Sequence, residues 1–136
     1  MKFKYILFFI IIFLFLFLFN SCEKKKIEPK SAKLVFVGDI MTHPNIVKSF
    51  ENKDILFDLK DYLKGDIVFA NLEFTVDTNK PPMPYPEFNG SIEYLRYFFN
   101  YFNLFSVANN HAYDQGAQAE AETIAEIERN NKLIIG

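Results

Sequence analysis

Residues 104–116 read LFSVANNHAYDQG, an apolar run that passes directly into a cluster of polar side chains. Two earlier stretches have the same form: residues 34–39 read LVFVGD, and residues 67–73 read IVFANLE. Short apolar runs of this kind are typical of strands in a buried parallel sheet. In open α/β sheets the functional sites lie at the carboxyl ends of such strands. Three strands that end in Asp, Asn-x-Glu and Asn-Asn-His therefore predict one site at one edge of a sheet.

Helical patterns alternate with these apolar runs, and this alternation predicts an α/β fold with a doubly wound, mostly parallel sheet flanked by helices. The first strand is apolar on both faces, so we expect it to be buried. The four predicted strands are residues 34–37, 67–70, 104–108 and 133–135.

The region between the first two strands predicts a helix. Pro44 suits its first turn. Ile55, Leu59 and Leu63 recur every four residues and would face the core, and Gly65 would form the C-cap.

The rest of the chain predicts a loop and two more helices. Residues 77–90 contain four prolines and should form a surface loop. Ser91 can cap an aromatic-rich helix that extends to about residue 102 and packs against the sheet. The helix after Gly116 would turn its glutamates to solvent, with an apolar stripe of Ala121, Ile124 and Ile127.

The N-terminus predicts an export signal. Lys2 and Lys4 precede an apolar run over residues 5–19, which is shorter than the roughly 20 residues of a transmembrane helix. Because Cys22 follows this run, residues 1–21 resemble a bacterial lipoprotein signal with Cys22 as the lipid-bearing residue. An ordinary signal peptide and an uncleaved anchor are the alternatives. Residues 22–33 are polar and predict a flexible tether.

The charge of the chain bears on its partners. Loss of residues 1–21 leaves 13 basic and 17 acidic residues, a net charge of −4. The sequence shows no basic face, and this argues against nucleic acid as a partner. The membrane, reached through the lipid anchor or the N-terminal segment, is the predicted partner. The predicted location is the cell envelope, outside the cytoplasm.

Several polar residues could carry chemistry or could simply form turns. The amide oxygen of Asn110 could bind a hard cation, and His111 could protonate a leaving oxygen; the alternative is a strand-to-helix turn. Asp39 could equally cap its loop, and Glu73 could be an exposed carboxylate. Asp66 precedes its strand, which places it at the opposite edge of the sheet.

The three segments together resemble one family. Residues 37–39 (VGD), 70–73 (ANLE) and 108–116 (ANNHAYDQG) are similar to the bacterial capsule synthesis proteins of the CapA/PgsA type. These are relatives of the calcineurin-like metallophosphoesterases and are associated with poly-γ-glutamate capsules. The resemblance covers about residues 33–136. It implies the N-terminal half of a metallophosphatase-like fold, as a truncated domain over residues 34–136.

The resemblance also implies roles for individual residues. Asp39, Glu73 and Asn110 would be ligands of a divalent metal (Mn, Fe or Zn), and His111 would be the catalytic acid. The residues that support them would be Asn71, Asn109 and Asp114.

The function that this implies is an envelope-anchored protein of capsule or poly-γ-glutamate synthesis or export, with other proteins of that synthesis as partners. A metal-dependent phosphoesterase and a catalytically silent surface module are the alternatives. The sequence has two histidines, whereas the family carries further histidine motifs later in the chain. We therefore expect a fragment that does not hydrolyse phosphate esters on its own.

Overall fold

The computed structural model describes residues 30–50 and 53–136. The predicted signal peptide, Cys22 and the tether up to residue 29 lie outside the described residues. The regular elements are β1 (Leu34–Ile40), α1 (Pro44–Phe50), a single 3₁₀ turn (Phe57–Leu59), β2 (Ile67–Leu72), α2 (Ile92–Phe98), β3 (Leu104–Ser106), α3 (Ala117–Arg129) and β4 (Leu133–Ile135). Within these two ranges, no helix combines the length and the apolar character needed to cross a membrane.

The four strands are all parallel and lie side by side in chain order, β1-β2-β3-β4. This confirms the parallel α/β fold. The doubly wound order is wrong, because a doubly wound sheet reverses its strand order partway across. Right-handed crossovers between successive neighbours all lie on the same face of a sheet. The order therefore places the connecting helices over one face.

The two faces of the sheet differ in burial. Val68, Ala70 and Phe105 point to the helix-covered face and are buried. On the other face Phe36 is 67% exposed, so the prediction of a strand buried on both faces is wrong for β1. Phe36 is exposed because β1 is an edge strand and because the connecting helices cover the other face of the sheet. We call this second face the open face; its exposed apolar residues are Leu34, Phe36, Leu133 and Ile135.

The region after β1 does not continue as one helix. α1 spans Pro44–Phe50, and between residue 53 and β2 the one regular element that the structure describes is the 3₁₀ turn, in which Leu59 is 49% exposed. Asp54 lies between α1 and the 3₁₀ turn, and its carboxylate accepts hydrogen bonds from the hydroxyls of Tyr97 and Tyr101, both at 2.5 Å, and from the amide of Leu56 at 3.1 Å. The two tyrosine hydroxyls lower the pKa of Asp54. These contacts tie the segment to α2 and to the turn that follows it.

Gly65 is not a left-handed cap, and its role is steric. A β-carbon at this position would lie 2.8 Å from the backbone oxygen of Lys33. The two backbones approach closely where β1 begins, because the amides of Asp66 and Ile67 both donate to that oxygen. Glycine is needed here for close packing.

α2 forms as predicted but ends early. The hydroxyl of Ser91 accepts a hydrogen bond from the amide of Tyr94 at 3.1 Å, which confirms the N-cap. The helix ends at Phe98 rather than near residue 102, yet Phe98 and Phe102 are buried as expected. The Tyr94 hydroxyl donates to the carbonyl of Met41 at 3.1 Å, and burial raises the pKa of Tyr94 to about 12.

α3 corrects the prediction that its glutamates face solvent. Ile127 is fully buried, whereas Ala121 is exposed. Glu126 is only 4% exposed, and Arg96 and Arg129 both donate to its carboxylate at 2.7 Å. The two arginines compensate the buried charge, and Arg96, which lies on α2, ties α3 to that helix.

Candidate functional site

The carboxyl ends of β1 and β2 meet at one edge of the sheet. In the register of the two strands Asp39 lies opposite Asn71, and Asn71 lies opposite Ser106 of β3. β1 and β2 both extend beyond their predicted ends, so Asp39 and Asn71 lie within strands. Glu73 follows directly, and its amide donates to the carbonyl of Ile40 at 2.9 Å. The strand geometry therefore brings two carboxylates to the same edge.

Asn71 joins these carboxylates. Its Nδ2 donates to Oδ1 of Asp39 at 2.9 Å and to Oε1 of Glu73 at 3.1 Å. A spacing of two residues in extended chain puts Asn71 and Glu73 on the same side, as the sequence predicts. One amide nitrogen thus lies within hydrogen-bond distance of both acids.

Asn109 carries the network into the loop after β3. Its Nδ2 donates to Oδ1 of Asn71 at 3.2 Å and to the carbonyl of Leu72 at 2.8 Å. Its Oδ1 accepts a hydrogen bond from the amide of His111 at 3.0 Å. Both polar atoms of this side chain are engaged, so Asn109 fixes the loop relative to β2.

His111 and Asp114 form a pair beside this network. Nδ1 of His111 lies 2.8 Å from Oδ2 of Asp114, and both side chains are mostly buried. Because an ionised carboxylate can only accept, Nδ1 is the donor and Nε2 is left for other partners. This is the arrangement in which a carboxylate orients an imidazole for proton transfer.

Phe88 completes the pair and was missed by the sequence reasoning. Its amide donates to Oδ2 of Asp114 at 2.7 Å, and its ring centroid lies 4.5 Å from that of His111. Phe88 belongs to the proline-rich loop, 26 positions before Asp114 in the sequence. Proline content predicts a loop, but nothing local in the sequence indicates where that loop is placed.

The loop over residues 77–90 is held by Asn89, which has no exposed surface. Oδ1 of Asn89 accepts from the amide of Asp77 at 2.8 Å, and Nδ2 donates to three carbonyls of the same loop. Outside the loop, Thr42 donates to the carbonyl of Met83 at 2.8 Å. The loop therefore spans from the end of β1 to the residues around His111.

The structure places the remaining candidates elsewhere. Asn110 is exposed and lines a hollow with Tyr113 and Glu120, whereas the amide of Asn109 joins the carboxylate network. The role of Asn110 as a ligand stays a prediction. His43, the other of the two histidines in the sequence, accepts a hydrogen bond from the amide of Asn45 at 3.3 Å, which is a turn contact. Asp66 accepts from the amide of Lys33 at the opposite edge of the sheet, where its position before β2 puts it.

The donor set can be tested against a divalent metal. Two carboxylates that converge on one amide nitrogen offer the oxygen ligands that hard cations prefer. In the part of the chain that the structure describes, no group of three or more His, Cys, Asp or Glu side chains is placed to hold a metal ion. The described residues therefore do not fit a two-metal cage.

The fold and site define a parallel α/β domain with an acidic, amide-linked site at the carboxyl edge of its sheet. A sequence model of the family described as bacterial capsule synthesis protein (PGA_cap) matches residues 33–136. The chain therefore belongs to the bacterial capsule synthesis proteins, a family that is metallophosphatase-like. No curated protein and no solved structure matches the chain.

Proposed function

We propose that this chain acts in capsule synthesis as a lipid-anchored protein of the cell envelope, and that the polar site at the carboxyl edge of its sheet is the functional site. Membership of the family over residues 33–136 supports the capsule role. The site is supported by one observation: the side-chain amide of Asn71 donates hydrogen bonds to the carboxylates of both Asp39 and Glu73. The proposed anchor is the lipid on Cys22, and poly-γ-glutamate is the polymer that the resemblance suggests.

The proposed chemistry concerns an oxyanion, such as a phosphate ester. Asp39 and Glu73 would hold one divalent cation, and Asn71 and Asn109 would orient them. The cation, when bound, supplies positive charge that polarises a phosphate oxygen. His111 would present Nε2 toward the same edge, with its ring held by Asp114 and Phe88. In the capsule role this arrangement would bind the oxyanion without cleaving it, and protonation of a leaving oxygen by His111 belongs to the phosphoesterase alternative below.

Deletion and complementation test the capsule role. Deleting the gene should remove or reduce the surface polymer of the bacterium, and the full chain supplied from a plasmid should restore it. A deletion strain with unchanged polymer would contradict the proposal and favour the silent surface module.

A metal-dependent phosphoesterase is the second candidate, and the pair formed by His111 and Asp114 favours it. The donor count argues against it, since the described residues do not supply ligands for two metals. We expect the purified chain to show no turnover of p-nitrophenyl phosphate with Mn²⁺, Fe²⁺ or Zn²⁺. Turnover that His111→Ala abolishes would make the phosphoesterase the better reading.

A further inference from the structure

The amino edge of the sheet, where each strand begins, carries positive charge. Four segments lead into the strands at this edge: residues 32–34, 60–67, 96–104 and 126–133. Together they contain six basic and four acidic residues, a net charge of +2. Lys33, Lys60 and Lys64, which belong to the first two segments, are exposed. The amino edge therefore presents lysines to solvent.

The carboxyl edge carries the opposite charge. The segments that leave the strands there are residues 38–44, 71–93 and 107–120. They contain one basic and seven acidic residues, a net charge of −6 with histidine neutral. The one basic residue, Lys80, is paired with Asp77 at 3.3 Å. A bilayer that contains anionic lipids would therefore attract the amino edge and repel the carboxyl edge.

Exposed apolar and aromatic side chains lie at the same amino edge. Leu34 and Leu133 are the first residues of β1 and β4, and both are exposed on the open face. Tyr62 is 75% exposed and lies four positions before Asp66, whose amide donates to the carbonyl of Lys33 at 2.8 Å. Tyrosine is enriched where proteins meet the headgroup layer of a membrane, and neighbouring lysines attract anionic lipids. The residue types at this edge thus suit a lipid surface.

The tether joins the domain at this edge as well. It has twelve residues, 22–33, and Lys33 is followed directly by β1. A flexible chain of this length spans about 20 Å on average. β2 has six residues and is therefore about 20 Å long, so the carboxyl edge lies farther from the point of attachment by that distance. An anchor at Cys22 would hold the amino edge near the bilayer.

We propose that the amino edge of the domain docks on the anionic surface of the membrane that carries the anchor, so that the site at the carboxyl edge faces away from that membrane. The proposal rests on the proposed function, because it assumes the anchor. Lys33 and Lys64 would contact lipid phosphates, and Tyr62 would enter the headgroup layer. In this orientation the site is open to a ligand in the aqueous phase, such as a soluble polymer, rather than to a lipid of the same bilayer.

Tryptophan fluorescence tests the orientation, because the sequence contains no tryptophan. Tyr62→Trp places the probe at the amino edge, and Tyr85→Trp is the matched control. Tyr85 is 76% exposed, and its ring contacts Phe88, which packs on His111 at the carboxyl edge. The full chain of each variant is reconstituted in vesicles of equal parts phosphatidylcholine and phosphatidylglycerol, with and without brominated phosphatidylcholine as the quencher.

We expect the brominated lipid to quench the fluorescence of Tyr62→Trp about threefold more strongly than that of Tyr85→Trp. Replacing the phosphatidylglycerol with phosphatidylcholine should reduce the quenching of Tyr62→Trp about twofold, because the lysines lose their anionic partners. Adding Lys33→Glu and Lys64→Glu to the Tyr62→Trp variant should have the same effect in the anionic vesicles. Both lysines and both tyrosines are exposed, so these variants should fold, and equal melting temperatures check this.

Three results would overturn the proposal: equal quenching of Tyr62→Trp and Tyr85→Trp, stronger quenching of Tyr85→Trp, or no quenching of either variant. Quenching of Tyr62→Trp that is unchanged by the loss of phosphatidylglycerol and by the lysine substitutions would refute docking on an anionic surface. Flotation of the protein with the vesicles separates these results from failure of the anchor. Protein that does not float would refute the anchor and this proposal together, whereas floating protein with equal quenching would refute the orientation alone.

Discussion

Glu126 offers the sharpest test of how the helices are held to each other. It is 4% exposed, and its carboxylate accepts hydrogen bonds from Arg96, Arg129 and Asn130 at 2.7, 2.7 and 2.9 Å. Arg96 first, then Arg129 and Asn130, lower the pKa of Glu126 from 4.5 to about 2. That difference corresponds to roughly 3 kcal/mol at about 1.4 kcal/mol for each pKa unit.

The expected effect is smaller than this figure. The side chains of Arg96 and Arg129 are 57% and 66% exposed, so solvent screens both ion pairs. We expect Glu126→Gln to lower the free energy of unfolding by about 2 kcal/mol at pH 7. Because the folded state has the lower pKa, this contribution is present above pH 4.5 and is lost as the pH falls toward 2.

Urea unfolding, followed by circular dichroism at pH 7, 4 and 3, measures this effect on a chain that lacks its signal segment. The difference between wild type and Glu126→Gln should shrink steadily toward low pH. Glu128→Gln is the control, since Glu128 lies on the same helix and is exposed. Equal losses for the two variants, or a difference that does not change with pH, would show that the buried ion pairs of Glu126 do not stabilise the fold.

Three further predictions concern packing, the loop and the anchor. Gly65→Ala should lower the melting temperature, because the new β-carbon would lie 2.8 Å from a backbone oxygen. Gly38→Ala is the control and should leave the melting temperature unchanged, since a β-carbon there has no atom within 4 Å. Equal melting temperatures for the two variants would contradict the steric role of Gly65. Asn89→Ala should lower the free energy of unfolding by about 2 kcal/mol and speed hydrogen exchange of the loop amides, because buried backbone groups lose their hydrogen-bond partner. Unchanged exchange rates would contradict this prediction. Cys22→Ala should block lipid attachment and signal cleavage, and normal processing with unchanged detergent-phase partitioning would disprove the lipoprotein prediction.

The strands and their polar ends could be predicted because the signals are local. The run over residues 67–70 predicts β2, and its continuation into Asn71 and Glu73 predicts two side chains on one side of the strand. Parallel pairing then brings Asp39 to the same edge, as the register of β1 and β2 shows.

The features that the sequence did not predict depend on distant residues. The strand order leaves β1 at an edge and exposes Phe36, and no local pattern encodes that order. Glu126 is a charged residue and was therefore expected to face solvent, but it lies on the helix face of the buried Ala119 and Thr123, and its partner Arg96 lies 30 positions earlier. Asn109 and Asn110 are adjacent and identical in type, so only the turn of the backbone decides which of them meets Asn71.

The most direct test of the account measures surface polymer in a deletion strain complemented with Asp39→Asn/Glu73→Gln. This double variant keeps the shape of the site and removes both charges, so it asks whether the carboxylates joined by Asn71 are what capsule synthesis needs. Asp61→Asn, at an exposed position outside the site, is the control, and immunoblots of the envelope fraction establish equal abundance. We expect little or no polymer with the double variant and normal polymer with the control. Normal polymer with the double variant at equal abundance would contradict it.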